Sequence, residues 1–382
     1  MIELPPTKLP RVGTSIFTVM SQLAQAHGAI NLSQGFPDFS CPPALADLVG
    51  SYTRNGFNQY APMAGVPKLR QNISRKTKLL YGVEPDPETV ITVTSGATEA
   101  LFCAIAAVVR PGDEVLVIEP AYDSYVPAIL LNGGQPVFVP LTFPEYQIDW
   151  DLIKARISPK TRLLILNSPH NPSGATLSAT DLASLSEIIR DTNIFLIGDE
   201  VYEHMVYDGQ LHQSLLRRPE LASRSFIVSS FGKTYHATGW KIGYCVAPQA
   251  LTQEFRKIHQ YLTFSTTTPM QYALADYLEN TEHYLSLPAF YEQKRNLFCE
   301  LMVDSRFKIM PSAGTYFQLA HYGNITNEPD VDFARRLTQE SGVAAIPISV
   351  FYHNNQDHKV LRFCFAKNED TLRMAAEKLC VL

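Results

Sequence analysis

The sequence predicts an α/β fold, a mainly parallel sheet packed between helices, with a smaller α+β domain beside it. Three observations carry that expectation. Short β-branched or aliphatic runs recur at 90–93, 115–118, 163–166, 194–197 and 226–228, with helix-length segments between several of them. These runs are near-continuously apolar rather than alternating, which marks strands covered on both faces and hence a largely parallel sheet. Beyond residue 280 the pattern changes to a helix, short runs at 307–310 and 315–319, a helix near 332–340 and a last run at 361–365. The expected division is therefore an N-terminal arm over 1–45 that joins the small domain, a large domain over 46–280 and a small C-terminal α+β domain over 281–382. A length of 382 residues, beyond the usual size of one hydrophobic core, agrees with a large domain and a companion.

Composition narrows the function classes. Apolar residues make up 46% and charged residues 18%, which is globular usage and not disorder. A net charge of −5 lacks the clustered positive charge that phosphate backbones require, so no nucleic-acid partner is expected. The opening Met1-Ile2-Glu3-Leu4-Pro5-Pro6 has neither the basic region nor the apolar core of a secretory signal, and no later run approaches a membrane span. A cytoplasmic protein is expected. Cys41, Cys103, Cys245, Cys299, Cys364 and Cys380 stand singly, which suggests neither a disulfide framework nor a zinc or redox pair. Small-molecule chemistry remains.

In α/β sheets ligands meet the loops at strand C-terminal ends, and each run here is followed by polar residues. After the first, Gly96-Ala97-Thr98 opens an apolar helix over 99–109, so its free amides suit a phosphate; a plain tight turn is the alternative. Ser230 and Lys241 are further phosphate ligands that favour the anion site. The second run leads to Tyr122, and the third to Asn171 within Asn167-Ser168-Pro169-His170-Asn171-Pro172. Asp199-Glu200 follows the fourth; a helix N-cap or a metal ligand is the common alternative, but no second acidic cluster completes a metal site. Lys233 follows the fifth, in Ser229-Ser230-Phe231-Gly232-Lys233 with Trp240 close behind. That apolar setting depresses a lysine pKa and favours a neutral, nucleophilic amine, whereas a lone lysine is usually a solvated charge. Gly232-Lys233-Thr234 resembles the tail of a P-loop, but Ile227 stands where that motif needs glycine, and no G-x-G-x-x-G follows a strand. Any one of these loops could be an ordinary surface turn; jointly they form an anion site beside ionisable groups.

Asn171-Pro172-Ser173-Gly174, Asp199-Glu200-Val201-Tyr202, Ser230-Phe231-Gly232-Lys233 and Thr238-Gly239-Trp240-Lys241-Ile242-Gly243-Tyr244 occur in the order and approximate spacing of a known family. The chain resembles, over nearly its whole length, the class I aminotransferases, the aspartate-aminotransferase-like fold type I family of pyridoxal-phosphate enzymes. The resemblance implies pyridoxal 5'-phosphate as cofactor, held by Lys233 as a Schiff base. It further implies that Asp199 pairs with the pyridine nitrogen, that Asn171 and Tyr202 bond the phenolic oxygen and that Tyr122 stacks on the ring. Gly96, Ala97, Thr98, Ser230 and Lys241 would take the phosphate. Lysine at the last position, where many members carry arginine, is similar to the methionine and kynurenine branch. Tyr60 matches the family tyrosine that reaches the phosphate of the neighbouring subunit, which implies a homodimer. Arg362, in Leu361-Arg362-Phe363-Cys364-Phe365, resembles the arginine that clamps the substrate α-carboxylate; a solvent-facing arginine on an edge strand is the alternative.

Asn31-Leu32-Ser33-Gln34-Gly35-Phe36-Pro37-Asp38-Phe39 is similar to the opening of methionine and kynurenine/glutamine aminotransferases, a branch that prefers uncharged side chains. By that resemblance Gly35, Asn171, Phe17 and, contributed by the other subunit, Phe264 bind the substrate. Thr98 stands where some kynurenine enzymes carry tyrosine, which shifts the expectation to methionine or an aromatic amino acid. The implied reaction moves the amino group of an uncharged L-amino acid to a 2-oxo acid, with Lys233 as the base. Kynurenine/glutamine aminotransfer and β-elimination from cysteine conjugates are the alternatives on the same scaffold. A ligand-binding regulator is disfavoured, because no basic helix-turn-helix segment is attached.

Overall fold

The computed structural model describes residues 4–10 and 12–382; residues 1–3, part of the opening read above for a secretory signal, and Arg11 lie outside the described residues. Ser15 caps the first helix, α1 (Ile16–His27), by accepting from the Thr18 amide, and Gly28 closes it in the left-handed region at φ 58°. The chain continues into β1 (Ile30–Asn31) and two helices with proline in the first turn, α2 (Pro43–Arg54) and α3 (Pro67–Tyr81).

Seven strands then build the large sheet: β2 (Ile91–Thr94), β3 (Glu114–Glu119), β4 (Gln135–Pro140), β5 (Thr161–Asn167), β6 (Phe195–Asp199), β7 (Ser225–Ser230) and β8 (Gly243–Val246). Their spatial order is β2-β8-β7-β6-β5-β3-β4. Strands β3 to β7 run parallel, and β8 is antiparallel to both its neighbours. The apolar runs serve two cores at once. Leu116, Ile118, Leu164, Leu166 and Leu196 face one, while Val115, Val117, Leu163, Ile165 and Ile197 face the other, so alternate side chains are buried on opposite faces. Two strands of this sheet, β4 and β8, fall outside the five apolar runs. β4 contains Pro136 and Pro140 and lies at a sheet edge, where proline is tolerated; β8 is only four residues long.

The later strands are β9 (Lys308–Ile309), β10 (Phe317–His321), β11 (Val343–Ala344), β12 (Ile346–Pro347) and β13 (Val360–Cys364). An antiparallel sheet has the order β12-β13-β10-β9, and β11 pairs in parallel with β1. Arg362 therefore belongs to an interior strand, between β12 and β10, and not to an edge. The helix read near 332–340 is Asp330–Arg336, continued by the wider turn Leu337–Ser341.

A helix, α4 (Gly96–Val108), follows β2 with its first residues beside the C-terminal ends of β5, β6 and β7, where Asn167, Asp199 and Ser230 lie. The segment after β6 is held from behind by α3. The Lys76 amine donates to Glu203 at 2.7 Å and to the Tyr244 hydroxyl at 2.7 Å, and Tyr81 donates to the other Glu203 oxygen. Burial pushes the Glu203 carboxyl up, but the Lys76 ammonium beside it holds it below the usual carboxylate range. This buried pair anchors the residue next to Tyr202. Replacing Lys76 with methionine is expected to cost about 3–5 kcal/mol in urea unfolding, because it leaves a buried carboxylate unpaired. A loss below ~1 kcal/mol would show that the pair is not the anchor.

Candidate active site

The strand ends and α4 enclose a cavity of about 260 Å³. Lys233, Asp199, Arg362, Tyr122, Asn171, Tyr202, Ser230, Lys241, Gly96, Ala97, Thr98, Gly35 and Phe17 all line it. Tyr60 and Phe264 do not. Tyr60 is 85% exposed, and its ring meets that of Phe264 edge-on with centroids 5.4 Å apart.

Lys233 sits in a single helical turn, Phe231–Thr234, directly after β7. Its amine donates to the Tyr316 hydroxyl at 3.0 Å and to the Gly35 carbonyl at 3.2 Å. Burial lowers its pKa to about 8; Arg362 and Lys241 add to the fall, and Asp199 opposes it. Asp199, at the end of β6, accepts a 2.5 Å hydrogen bond from the Tyr125 hydroxyl through Oδ2. Its Oδ1 is buried without a protein partner. Burial pushes this carboxyl up to about 6, against the Tyr125 bond that favours its charged form. A buried carboxylate oxygen of this kind is matched by an N–H donor from a ligand.

Arg362 is fully buried on β13. Nη1 donates to Asn171 Oδ1 at 2.7 Å and Nη2 to the Ser33 carbonyl at 2.9 Å, while the guanidinium lies 3.8 Å from the Phe317 ring centre. Its pKa falls to about 10 through burial, so it remains a cation at neutral pH. At the other end of the cavity, α4 begins at Gly96 in the left-handed region, φ 75°. A β-carbon there would stand 3.2 Å from the Lys241 amine. Gly243, at the start of β8, is more tightly confined, and by backbone: a β-carbon would lie 2.7 Å from the Ser229 carbonyl and 3.0 Å from the Ala97 amide nitrogen. Two glycines thus let backbone, helix N-terminus and lysine close around one small volume suited to an anion.

Several lining or contacting residues were not singled out by the sequence. Asn167 accepts from the Asn171 amide at 2.7 Å and donates to the Asp199 carbonyl at 2.8 Å. Its position at a strand end was a usable signal. Tyr125 lies inside a helix, Phe317 opens β10 and Tyr316 falls in the apolar run 315–319 just before it, so none of the three stood out. The Asp199-Glu200 pair neither caps a helix nor joins a metal cluster. Glu200 accepts from the Leu215 amide and pairs with His212, and no group of His, Cys, Asp and Glu among the described residues could hold a metal ion. Among the described residues, no helix is long and apolar enough to cross a membrane.

The donor set fits pyridoxal phosphate: an amine for its aldehyde, a buried free carboxylate oxygen for its ring nitrogen and a helix N-terminus with a lysine for its phosphate. The chain belongs to the aminotransferase class I and II family, whose model matches residues 27–379. It is a pyridoxal-phosphate-dependent aminotransferase. The chain is 54% identical to methionine aminotransferase of Escherichia coli K12, over 98% of each chain. It is 33% identical to kynurenine–oxoglutarate transaminase 1 of Mus musculus, over 99% of this chain and 97% of the other. The crystal structure of an Escherichia coli protein with a methionine aminotransferase function superposes with a TM-score of 0.98 at 53% identity, covering 100% of both chains.

The confinement of Gly243 is testable. Gly243→Ala should displace the Ala97 amide and weaken pyridoxal phosphate retention by roughly tenfold, the worth of one charge-assisted hydrogen bond. Titration of cofactor-stripped protein by absorbance checks this, and an unchanged dissociation constant would contradict it.

Proposed function

We propose that this enzyme takes the amino group of methionine, or of an aromatic L-amino acid, and passes it to a 2-oxo acid. The observation that carries the substrate reading is the distribution of charge in the cavity. Its charged side chains are Asp199, Lys233, Lys241 and Arg362, and the cofactor and the substrate α-carboxylate together engage all four. The lining that remains for the substrate side chain, Phe17, Gln34, Leu101 and Phe317 among it, is uncharged, and a charge set there would be buried without a partner. A thioether or an aromatic ring suits that wall. The 54% identity to a methionine aminotransferase supports the same choice.

Each charged group has a distinct task. Arg362 receives the α-carboxylate, its guanidinium plane steadied by Phe317, Asn171 and the Ser33 carbonyl. Pyridoxal phosphate, when bound, supplies a protonated ring that draws off the electron pair left at the substrate Cα. Asp199 would keep the ring nitrogen protonated, with Oδ1 free for it because Tyr125 already occupies Oδ2. Asn171 and Tyr202 would bond the phenolic oxygen, and Tyr122 would cover the ring. Lys241, Ser230 and the amides of Gly96, Ala97 and Thr98 would hold the phosphate. Lys233 removes the Cα proton; with a pKa of about 8, an appreciable fraction of its amine is neutral near pH 7, unlike a solvated lysine.

The N-terminal arm over 1–45 and the small domain over 281–382 act together in this reading, supported by the β1–β11 pairing, and bring Phe17, Gly35 and Arg362 to the large domain over 46–280. A homodimer is supported by the exposed Tyr60–Phe264 pair, which would meet the cavity of a second copy, Tyr60 at the phosphate and Phe264 at the substrate. The six free cysteines suit a reducing, cytoplasmic compartment.

Incubation with methionine and a 2-oxo acid should yield the transaminated pair, with aspartate a poor donor. Lys233→Ala should lower turnover by roughly 10²–10⁴-fold or more. Pyruvate and ammonia released from a cysteine conjugate alone, without methionine transamination, would favour a lyase, and normal turnover in the Lys233 variant would remove the base assignment.

A further inference from the structure

Three groups meet at a point that the reaction described above leaves unused. The Lys233 amine lies 3.0 Å from the Tyr316 hydroxyl and 3.2 Å from the Gly35 carbonyl, and the Tyr316 hydroxyl reaches the same carbonyl at 2.5 Å. Tyr316 is fully buried, so its proton is committed to Gly35 and its oxygen is left to accept from Lys233. Both neighbours of the amine are therefore acceptors. A free amine has two N–H groups, and an ammonium three, whereas a lysine nitrogen bonded to a cofactor carbon keeps at most one. The pair of acceptors matches the lysine in its released form. The ring of Tyr202 also lies near the same nitrogen, its centre 5.5 Å away, a further attraction for its charged state.

We propose that Tyr316 is a positioning residue which, with the Gly35 carbonyl, receives the Lys233 amine each time it is released from the cofactor and holds it inside the cavity. This rests on the reading of Lys233 as the base. A free lysine side chain has about 2 kcal/mol of rotamer entropy to lose, so an unheld amine would spend most of its time away from the substrate Cα. The contact also spans the molecule. Lys233 follows β7 of the large sheet, Gly35 follows β1, and Tyr316 precedes β10. Release of the lysine thereby adds a hydrogen bond between the large sheet and the Gly35 segment at the moment when the substrate is bound.

Titration of the Lys233 amine provides a readout independent of turnover. The groups that face it are Asp199 on β6, Arg362 and Cys364 on β13, Lys241 ahead of β8, Tyr202 and Tyr316. All but the last stay in place in Tyr316→Phe, which keeps the ring packed against Tyr202, Tyr291 and Phe317. Losing an acceptor penalises the ammonium, so its half-titration pH falls.

The test is competitive acetylation of full-length protein stripped of cofactor, from neutral to alkaline pH, with the Lys233 peptide quantified by mass spectrometry. The midpoint in Tyr316→Phe should fall by about 1 relative to the parent. Tyr316→Gln, which restores an acceptor oxygen, should recover part of the fall. In the cofactor-loaded variant, Cα-proton loss from methionine should slow by roughly tenfold with KM little changed. Superimposable acetylation profiles for parent and Tyr316→Phe would overturn the proposal, as would an unchanged rate of proton loss. Because acetylation is read without cofactor or turnover, it reports on Tyr316 even if Lys233→Ala proves active. An inactive Lys233→Ala with superimposable profiles would leave the base assignment standing and remove only the role of Tyr316.

Discussion

Partial withdrawal of the Lys233 amine from water is the constraint on which the site depends, and no single element could impose it. The large sheet delivers the lysine just after β7, α1 contributes Phe17, the segment after β1 contributes the Gly35 carbonyl, and the antiparallel sheet contributes Arg362, with Tyr316 just before β10. Burial lowers the lysine to about 8 and raises Asp199 to about 6. Both shifts favour the neutral forms, so each group gains when a ligand supplies a compensating partner. Asp199 shows this most plainly, with one oxygen satisfied by Tyr125 and the other bare.

The scaffold behind the cavity is arranged to keep that geometry stiff. Arg362 is oriented by an amide, a carbonyl and an aromatic face, and Asn171 is in turn positioned by Asn167. The segment bearing Tyr202 is tied through Glu203 to Lys76 on α3, well away from the chemistry. At the end of the cavity that holds Lys241 the confinement is steric, since a side chain at Gly243 would meet backbone and one at Gly96 would crowd Lys241. Electrostatic and steric demands are thus met by different residues around one cavity.

The large sheet was legible because its strands are buried on both faces and read as unbroken apolar runs, with the polar residues gathered at their ends. β4 escaped notice because its prolines argue against an interior strand, and it is indeed at an edge; β8 is short and embedded in the Thr238–Tyr244 motif. The loop residues could be read one by one, since a lysine or carboxylate after an apolar run stands out. Tyr316 and Tyr125 could not, because an aromatic in an apolar run or a helix reads as core, and their partners lie 83 and 74 residues away in sequence. Composition also left Arg362 open between a clamp and a solvent-facing edge residue, and only the pairing of β13 on both sides separates the two. Tyr60 and Phe264 rest on resemblance alone; within one chain they meet each other and not the cavity.

On the proposed function, Lys233 is the residue that binds pyridoxal phosphate covalently. Borohydride reduction of the cofactor-loaded protein, followed by digestion and mass mapping, tests it most directly, because reduction makes the carbon–nitrogen bond permanent. The account predicts one phosphopyridoxyl group per chain, on Lys233. A label on Lys241 or any other lysine, or none at all in protein saturated with the cofactor, would contradict it.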